Sequence, residues 1–152
     1  MTMRSLTLWA EAVAVSLVAL SLIGCGGGES YQVAEVDGVL LIGGKPAPKV
    51  FVEFIPDVSG TDSPPASAGE TDADGHFSLT TRQRHSSPQP GAVVGSHRVV
   101  LRDLQLAASA TGAGVPIRMS GDYSQVNTTP LREEVKEGPQ TITIDLPPYR
   151  GR

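Results

Sequence analysis

The side chains that could do chemistry are few, and they fall into short local sets. Glu70-x-Asp72-x-Asp74-Gly75 places three carboxylates at alternate positions before a glycine. This spacing loosely echoes a calcium loop, whose early alternate positions supply oxygen ligands. The last position of such a loop needs a bidentate glutamate; here it is Thr81, and the flanking segments read as strands rather than helices. Asp72, Asp74 and Gly75 are therefore expected to form a structural turn, with the aspartates capping their own backbone. His76, His85 and His97 lie far apart, and the single cysteine, Cys25, stands outside their neighbourhood, so zinc-ligand spacing is missing. His97 alternates with Val99 and Leu101, which predicts a packed strand residue. There is no G-x-S-x-G nucleophile elbow. Glu133 and Glu134 fall on opposite faces of a strand and cannot share a substrate. From these sets no catalytic residue, metal ligand or cofactor site is expected.

Cys25 carries a different chemistry. Ala12 to Ile23 is a nearly continuous apolar run behind the basic Arg4. It is too short for a bilayer core of ~30 Å, and it has the length of a signal-peptide apolar region. Leu22-Ile23-Gly24-Cys25 follows at once and resembles the bacterial lipobox. The thiol of Cys25 would accept a diacylglyceryl group, and the small Gly24 would let a peptidase reach the bond between Gly24 and Cys25. Residues 1–24 are thus expected to be a cleaved lipoprotein signal peptide. Residues 25–32, with Gly26-Gly27-Gly28 after the cysteine, are expected to be a lipidated tether. Two or three acyl chains anchor stably where one binds reversibly. The membrane, reached through lipid on Cys25, is the first expected partner. The resemblance places the protein outside the cytoplasm, and Gly26 after the cysteine favours the outer membrane where the host has one.

Composition narrows the remaining classes. The chain has 152 residues and a formal net charge of −4, with no polybasic run. A nucleic-acid binder would need a basic stripe, so no nucleic-acid partner is expected. With 17 glycines, 12 prolines and only 18% charged residues, short strands and many turns suit the chain better than long helices.

The strands can be read from period-two patterns. Val33 to Leu41 is a first strand, and Ile42 to Pro46 a turn. Val50, Val52 and Phe54 alternate with Phe51, Glu53 and Ile55 in a second; the phenylalanines are assigned to the core. Pro56 to Ala68 is a polar loop. Asp72-Ala73-Asp74-Gly75 predicts a hairpin whose outgoing strand holds Phe77 and Leu79. Arg82 to Ala92 is a second polar loop, and Ser96 to Leu101 the next strand. Leu104 to Ser120 fits a loop or a short helix. Leu131, Glu133 and Val135 share a strand face, which makes sense for Glu133 only at a sheet edge. Thr141 to Leu146 closes the set, with Ile142, Ile144 and Leu146 inward. An all-β, antiparallel sandwich over 33–147 follows, with a tail at 148–152.

The ordered motifs are similar to those of a known family. Val36–Ala47 reads V-x-G-x-L-x-x-G-G-K-P-A, and Thr71–Phe77 reads T-D-A-D-G-H-F. With Gly95–Leu101, Tyr123-Ser124 and Thr129–Val135, they resemble carboxypeptidase regulatory-like (transthyretin-like) domains, in lipoproteins of the planctomycete type. The resemblance implies an Ig-like sandwich of about seven strands and no enzyme activity. Hydroxyisourate hydrolases share that fold family and end in Tyr-Arg-Gly-Ser. Here the chain ends Tyr149-Arg150-Gly151-Arg152, His76 stands where those enzymes carry arginine, and the first strand has no histidine. The base and oxyanion partner of that reaction are missing. The expected role is structural or protein-interacting, toward an envelope protein, with the two polar loops as contact surfaces. A small-ligand or carbohydrate-binding module is the alternative, and after it a degenerate hydroxyisourate-hydrolase-like enzyme.

Overall fold

The computed structural model describes residues 31–58, 63–82, 87–108 and 114–151. Gly24 and Cys25 lie outside them. Twelve strand segments occur among the described residues: β1 (Val33–Ala34), β2 (Val36–Ile42), β3 (Lys45–Pro46), β4 (Val50–Pro56), β5 (Ser67–Glu70), β6 (His76–Ser78), β7 (Thr80–Thr81), β8 (Gln89–Pro90), β9 (Ala92–Val93), β10 (Gly95–Asp103), β11 (Arg132–Val135) and β12 (Gln140–Leu146). One short helix, α1 (Leu104–Ala108), and a 3-10 turn at Gly121–Ser124 complete the set. The all-β class is as the sequence predicts.

The larger sheet has the order β11-β10-β4-β5-β7-β8. The smaller holds β12-β2-β3, with β6 also paired to β2, and β1 pairs with β9 in a two-stranded ribbon. The two larger sheets share one apolar core. Val36 and Leu40 of β2 and Ile144 and Leu146 of β12 meet Val50, Val52 and Phe54 of β4 and Val99 and Leu101 of β10. Each large side chain buried there stabilises by about 1.5–3 kcal/mol before chain entropy is counted. The strict alternation in β4 and β12 follows from the two-residue period of a strand with one face in that core.

Four expectations are corrected in detail. All pairings are antiparallel except β12 with β2, which is parallel. The expected first strand is interrupted at Glu35: Val33–Ala34 turns to β9, and the rest pairs in the smaller sheet and runs on to Ile42. The segment after the Asp-Gly turn is not the second half of a simple hairpin. β6 crosses to β2 in the smaller sheet, and only after Leu79 does β7 return to pair with β5. Both polar loops are shorter than their composition suggests. Ser67 and Ala68 already belong to β5, and Gln89–Pro90 and Ala92–Val93 form short strands. β11 is a terminal strand of its sheet, as the position of Glu133 requires.

The T-D-A-D-G-H-F segment is where the two sheets are tied together. The Thr71 hydroxyl, buried, accepts from the Val50 amide at 2.9 Å and donates to the Ala47 carbonyl at 2.7 Å. Asp72 Oδ1 accepts from the amides of Asp74 and His76, both at 2.9 Å. Of the two aspartates expected to cap this turn, Asp72 does so through its carboxylate, and Asp74 takes part through its amide. Gly75 has φ +78° and sits on β2: its carbonyl accepts from the Leu40 amide at 2.8 Å, and a Cβ there would lie 2.6 Å from the Leu40 oxygen. Only glycine meets both demands. Phe77 then covers Gly38 of β2, where any side chain would strike its ring.

Candidate functional site

The strands of the larger sheet set its two ends. β4 runs from Val50 to Pro56 and pairs antiparallel with β10, so Val50 stands beside Asp103 and Pro56 beside His97. β5 begins at Ser67 opposite Thr81, the last residue of β7. The loop after β4 and the loop after β7 therefore leave from the same end of the sheet as His97. The sequence placed these loops independently; the strand pairing brings their roots side by side. Their central residues, 59–62 and 83–86, lie outside the described residues.

The outer face of the sheet carries a half-open groove of about 510 Å³ that reaches from Ala66 and Arg82 at those roots to Phe51 and Glu70 toward the opposite end. Its lining includes Phe51, Glu53, Ala68, Gly69, Thr80 and Arg82. Phe51 is half-buried here rather than in the core, which corrects the sequence assignment. The signal was legible: Phe51 alternates with buried Val50 and Val52 and so shares a face with Glu53. The Arg102 guanidinium lies 5.5 Å from the centre of the Phe51 ring and donates to Glu53 at 2.8 Å. One aromatic ring, a paired carboxylate, small side chains and the charged Glu70 and Arg82 thus line one strand surface. This arrangement can hold an apolar or weakly polar surface. Ser78, also in the lining, donates its hydroxyl to the Asp37 carboxylate.

Three buried polar side chains lie beneath the end with the loop roots. Ser67 and Thr81 are both fully buried, with their hydroxyls 2.6 Å apart. The Thr81 hydroxyl donates to the Gly91 carbonyl at 2.8 Å, so its one proton is used and Ser67 is the donor between them. His97 is also fully buried. Its Nδ1 donates to the Gly95 carbonyl at 2.9 Å, while Nε2 is the one buried side-chain polar atom without a partner among the described residues. Burial pushes the His97 pKa down, and the bond to Gly95 offsets only part of that. The ring packs against Phe54 with centroids 5.8 Å apart, as expected for a packed strand residue. Glu133, its cross-strand neighbour on β11, has its carboxyl pushed up by desolvation.

At the opposite end the arrangement is a clamp. Arg118 donates to both carboxylate oxygens of Asp103, Nη2 to Oδ1 at 2.7 Å and Nε to Oδ2 at 2.8 Å. It also donates to the Pro48 carbonyl at 3.0 and 3.1 Å. Burial pushes the Asp103 carboxyl up, but Arg118 and the amides of Gln105 and Leu106 outweigh it and hold the pKa below the usual range. The sequence reading missed Arg118. It lies in the stretch from Leu104 to Ser120, where no period signals a partner.

No protein-family model, curated protein or solved structure matches the chain. The geometry of the fold and the residues before it therefore carry the functional argument.

Proposed function

We propose that this protein is a lipid-anchored component of the cell envelope, held to the membrane through Cys25, whose β-sandwich binds another envelope protein without catalysing a reaction. The observation that supports the contact surface is that the roots of the two polar loops stand side by side at one end of the larger sheet, where the groove reaches Ala66 and Arg82. Loops that share a rigid base can form one contact surface, whereas separate loops cannot. The likeness to carboxypeptidase regulatory-like domains supports the same role, because that family's sandwich carries no reaction of its own. Gly24-Cys25 supports the anchor, since a small residue before a lone cysteine closes an apolar leader.

The test is cross-linking in intact cells, followed by detergent extraction and mass spectrometry of what co-purifies. A reproducible partner is expected, and it is lost when the loop at 57–66 is replaced by a Gly/Ser linker. The same spectra report on Cys25. An unmodified thiol, or a chain still carrying residues 1–24, overturns the anchor; capture that survives loop replacement overturns the contact surface.

A second reading follows from Phe51. An aromatic ring beside Glu53 and Arg102 on an open sheet face is a platform of the kind that stacks a sugar ring. A rise in Tm with a soluble glycan, abolished by Phe51→Ala, would select carbohydrate binding instead.

A further inference from the structure

The ends of the sheets differ in how they are guarded. β8 has two residues, one of them Pro90, and cannot extend a ladder. β11 carries Arg132, Glu133 and Glu134 in four residues. On the far side of β2 stand β3, which is Lys45–Pro46, and the three residues of β6. Short strands, charges and prolines are the usual devices that stop a sheet edge from pairing. β12 has none of them along seven residues, Gln140-Thr-Ile-Thr-Ile-Asp-Leu146, except Asp145 near its end.

The outward groups of β12 can be assigned. The Gln140 amide donates to the Glu35 carbonyl, and the Leu146 carbonyl accepts from the Gly43 amide, so the even positions face β2. The alternate positions, Thr141, Thr143 and Asp145, therefore aim their amides and carbonyls away from it. All three residues are exposed; the Asp145 carboxylate accepts from the Gly44 amide at 3.1 Å, and no backbone partner meets the outward amides and carbonyls among the described residues.

We propose that this edge of β12 pairs antiparallel with the same edge of a second copy of the chain. The sequence is self-complementary in that register. With the two-fold axis at Thr143, Thr143 faces its own copy, Thr141 faces Asp145 of the other chain, and Ile142 faces Ile144. The two Asp145 side chains are kept at opposite ends of the ladder. Pro147-Pro148 ends the pairing on each side. About six backbone hydrogen bonds form, and the threonine pair sits at a position where such pairs are favourable. The two buried isoleucines of each strand extend the apolar core across the junction. A strand from an unrelated protein has no such symmetry requirement; the match of this edge to itself favours the second copy.

The experiment is sedimentation of the full-length chain in detergent, with Thr143→Lys and Thr143→Cys variants. The parent is expected to be a dimer. Thr143→Lys puts two like charges on the axis and is expected to weaken association by about tenfold or more, with the melting transition kept. Thr143→Cys is expected to form an oxidised dimer rapidly, well beyond the parent chain with its Cys25, whereas Thr128→Cys, on another exposed segment, is not. The cysteine variants read the register even if the lysine variant unfolds. A monomeric parent, a dimer indifferent to Thr143→Lys, or equal cross-linking at positions 143 and 128 overturns the proposal. None of these outcomes bears on the loop contact, whose readout is a different protein.

Discussion

At one end of the larger sheet, where Val50 meets Asp103, polar side chains tie separate segments together. At the other, where Pro56 meets His97, two loops leave the sheet and a buried imidazole nitrogen has no partner among the described residues. The first end spends Arg118 on Asp103 and Pro48, and Thr71 on Val50 and Ala47. These bonds join residues far apart in the chain, so they fix the approach of one segment to another. The second end has satisfied hydroxyls at Ser67 and Thr81 but keeps its charges near the surface. The fold can therefore change at the second end. A scaffold pinned at one end can carry variable loops at the other without losing its core.

The strongest way to break the comparison is Arg118→Ala. It leaves the Asp103 carboxylate with a side chain only 7% exposed and no counter-charge. Removing one partner of such a pair is expected to cost about 3 kcal/mol, or roughly 10 °C in Tm for a domain of this size. The pH dependence should change with it. Asp103 titrates below the usual range in the folded chain, so its contribution is present above the ordinary carboxylate pKa and is lost as pH falls through the lowered one. Thermal melts from neutral to acid pH should show that loss in the parent and not in Arg118→Ala. A cost below about 1 kcal/mol would show the two ends to be equally soft, because that is the range of exposed pairs.

His97 tests the other end with a smaller effect. Its pKa is depressed, so the folded chain resists protonation. Stability should be level above the ordinary histidine value. It should fall as pH drops through that value toward the lowered one, where the unfolded chain takes the proton first. Glu133 acts with the opposite sign at lower pH: its raised pKa means that protonation favours the folded chain. His97→Leu should remove the histidine slope. At neutral pH it removes a buried acceptor that has no partner among the described residues and, against that, the bond to the Gly95 carbonyl, so stability there should change by less than about 1 kcal/mol. Urea titrations across this pH range check both. A slope unchanged in His97→Leu would assign the pH response elsewhere.

The sequence made the strands legible because one face of each lies in the core, and the period-two pattern records that. β4, β10 and β12 could be read for this reason, as could the edge position of β11 from Glu133. The turn at Asp72–Gly75 was equally readable, because its bonds are local and its residue types are demanded by them. What stayed hidden is non-local. Nothing in the order of residues says that β6 crosses to the other sheet, that β12 lies parallel to β2, or that Arg118 reaches Pro48. Those depend on which strands neighbour one another, and pairing partners leave no period in a single chain. The loop roots are hidden in the same way: their meeting follows from the β5–β7 pairing alone. Gly24 and Cys25 stand apart, legible as a pattern and outside the described residues.

The smallest expected effect sharpens the comparison from the side of charge. Asp57, where the first loop leaves β4, accepts from Arg98 Nε at 3.1 Å and lies 3.8 Å from Arg132 Nε. It has the same chemical partners as Asp103, a carboxylate beside guanidinium, but the groups are a third or more exposed. Water screens them, and holding long side chains in place costs entropy. Asp57→Asn should therefore lower stability by about 0.5 kcal/mol or less, an effect that shrinks as salt is raised. Melting curves of parent and variant at low and high salt make the check. The contrast with Arg118→Ala isolates burial as the cause, because the ion-pair chemistry is held constant. A large, salt-insensitive loss at Asp57 would mean that the root of the loop is itself part of the scaffold. The contact surface would then have to begin farther along the loop.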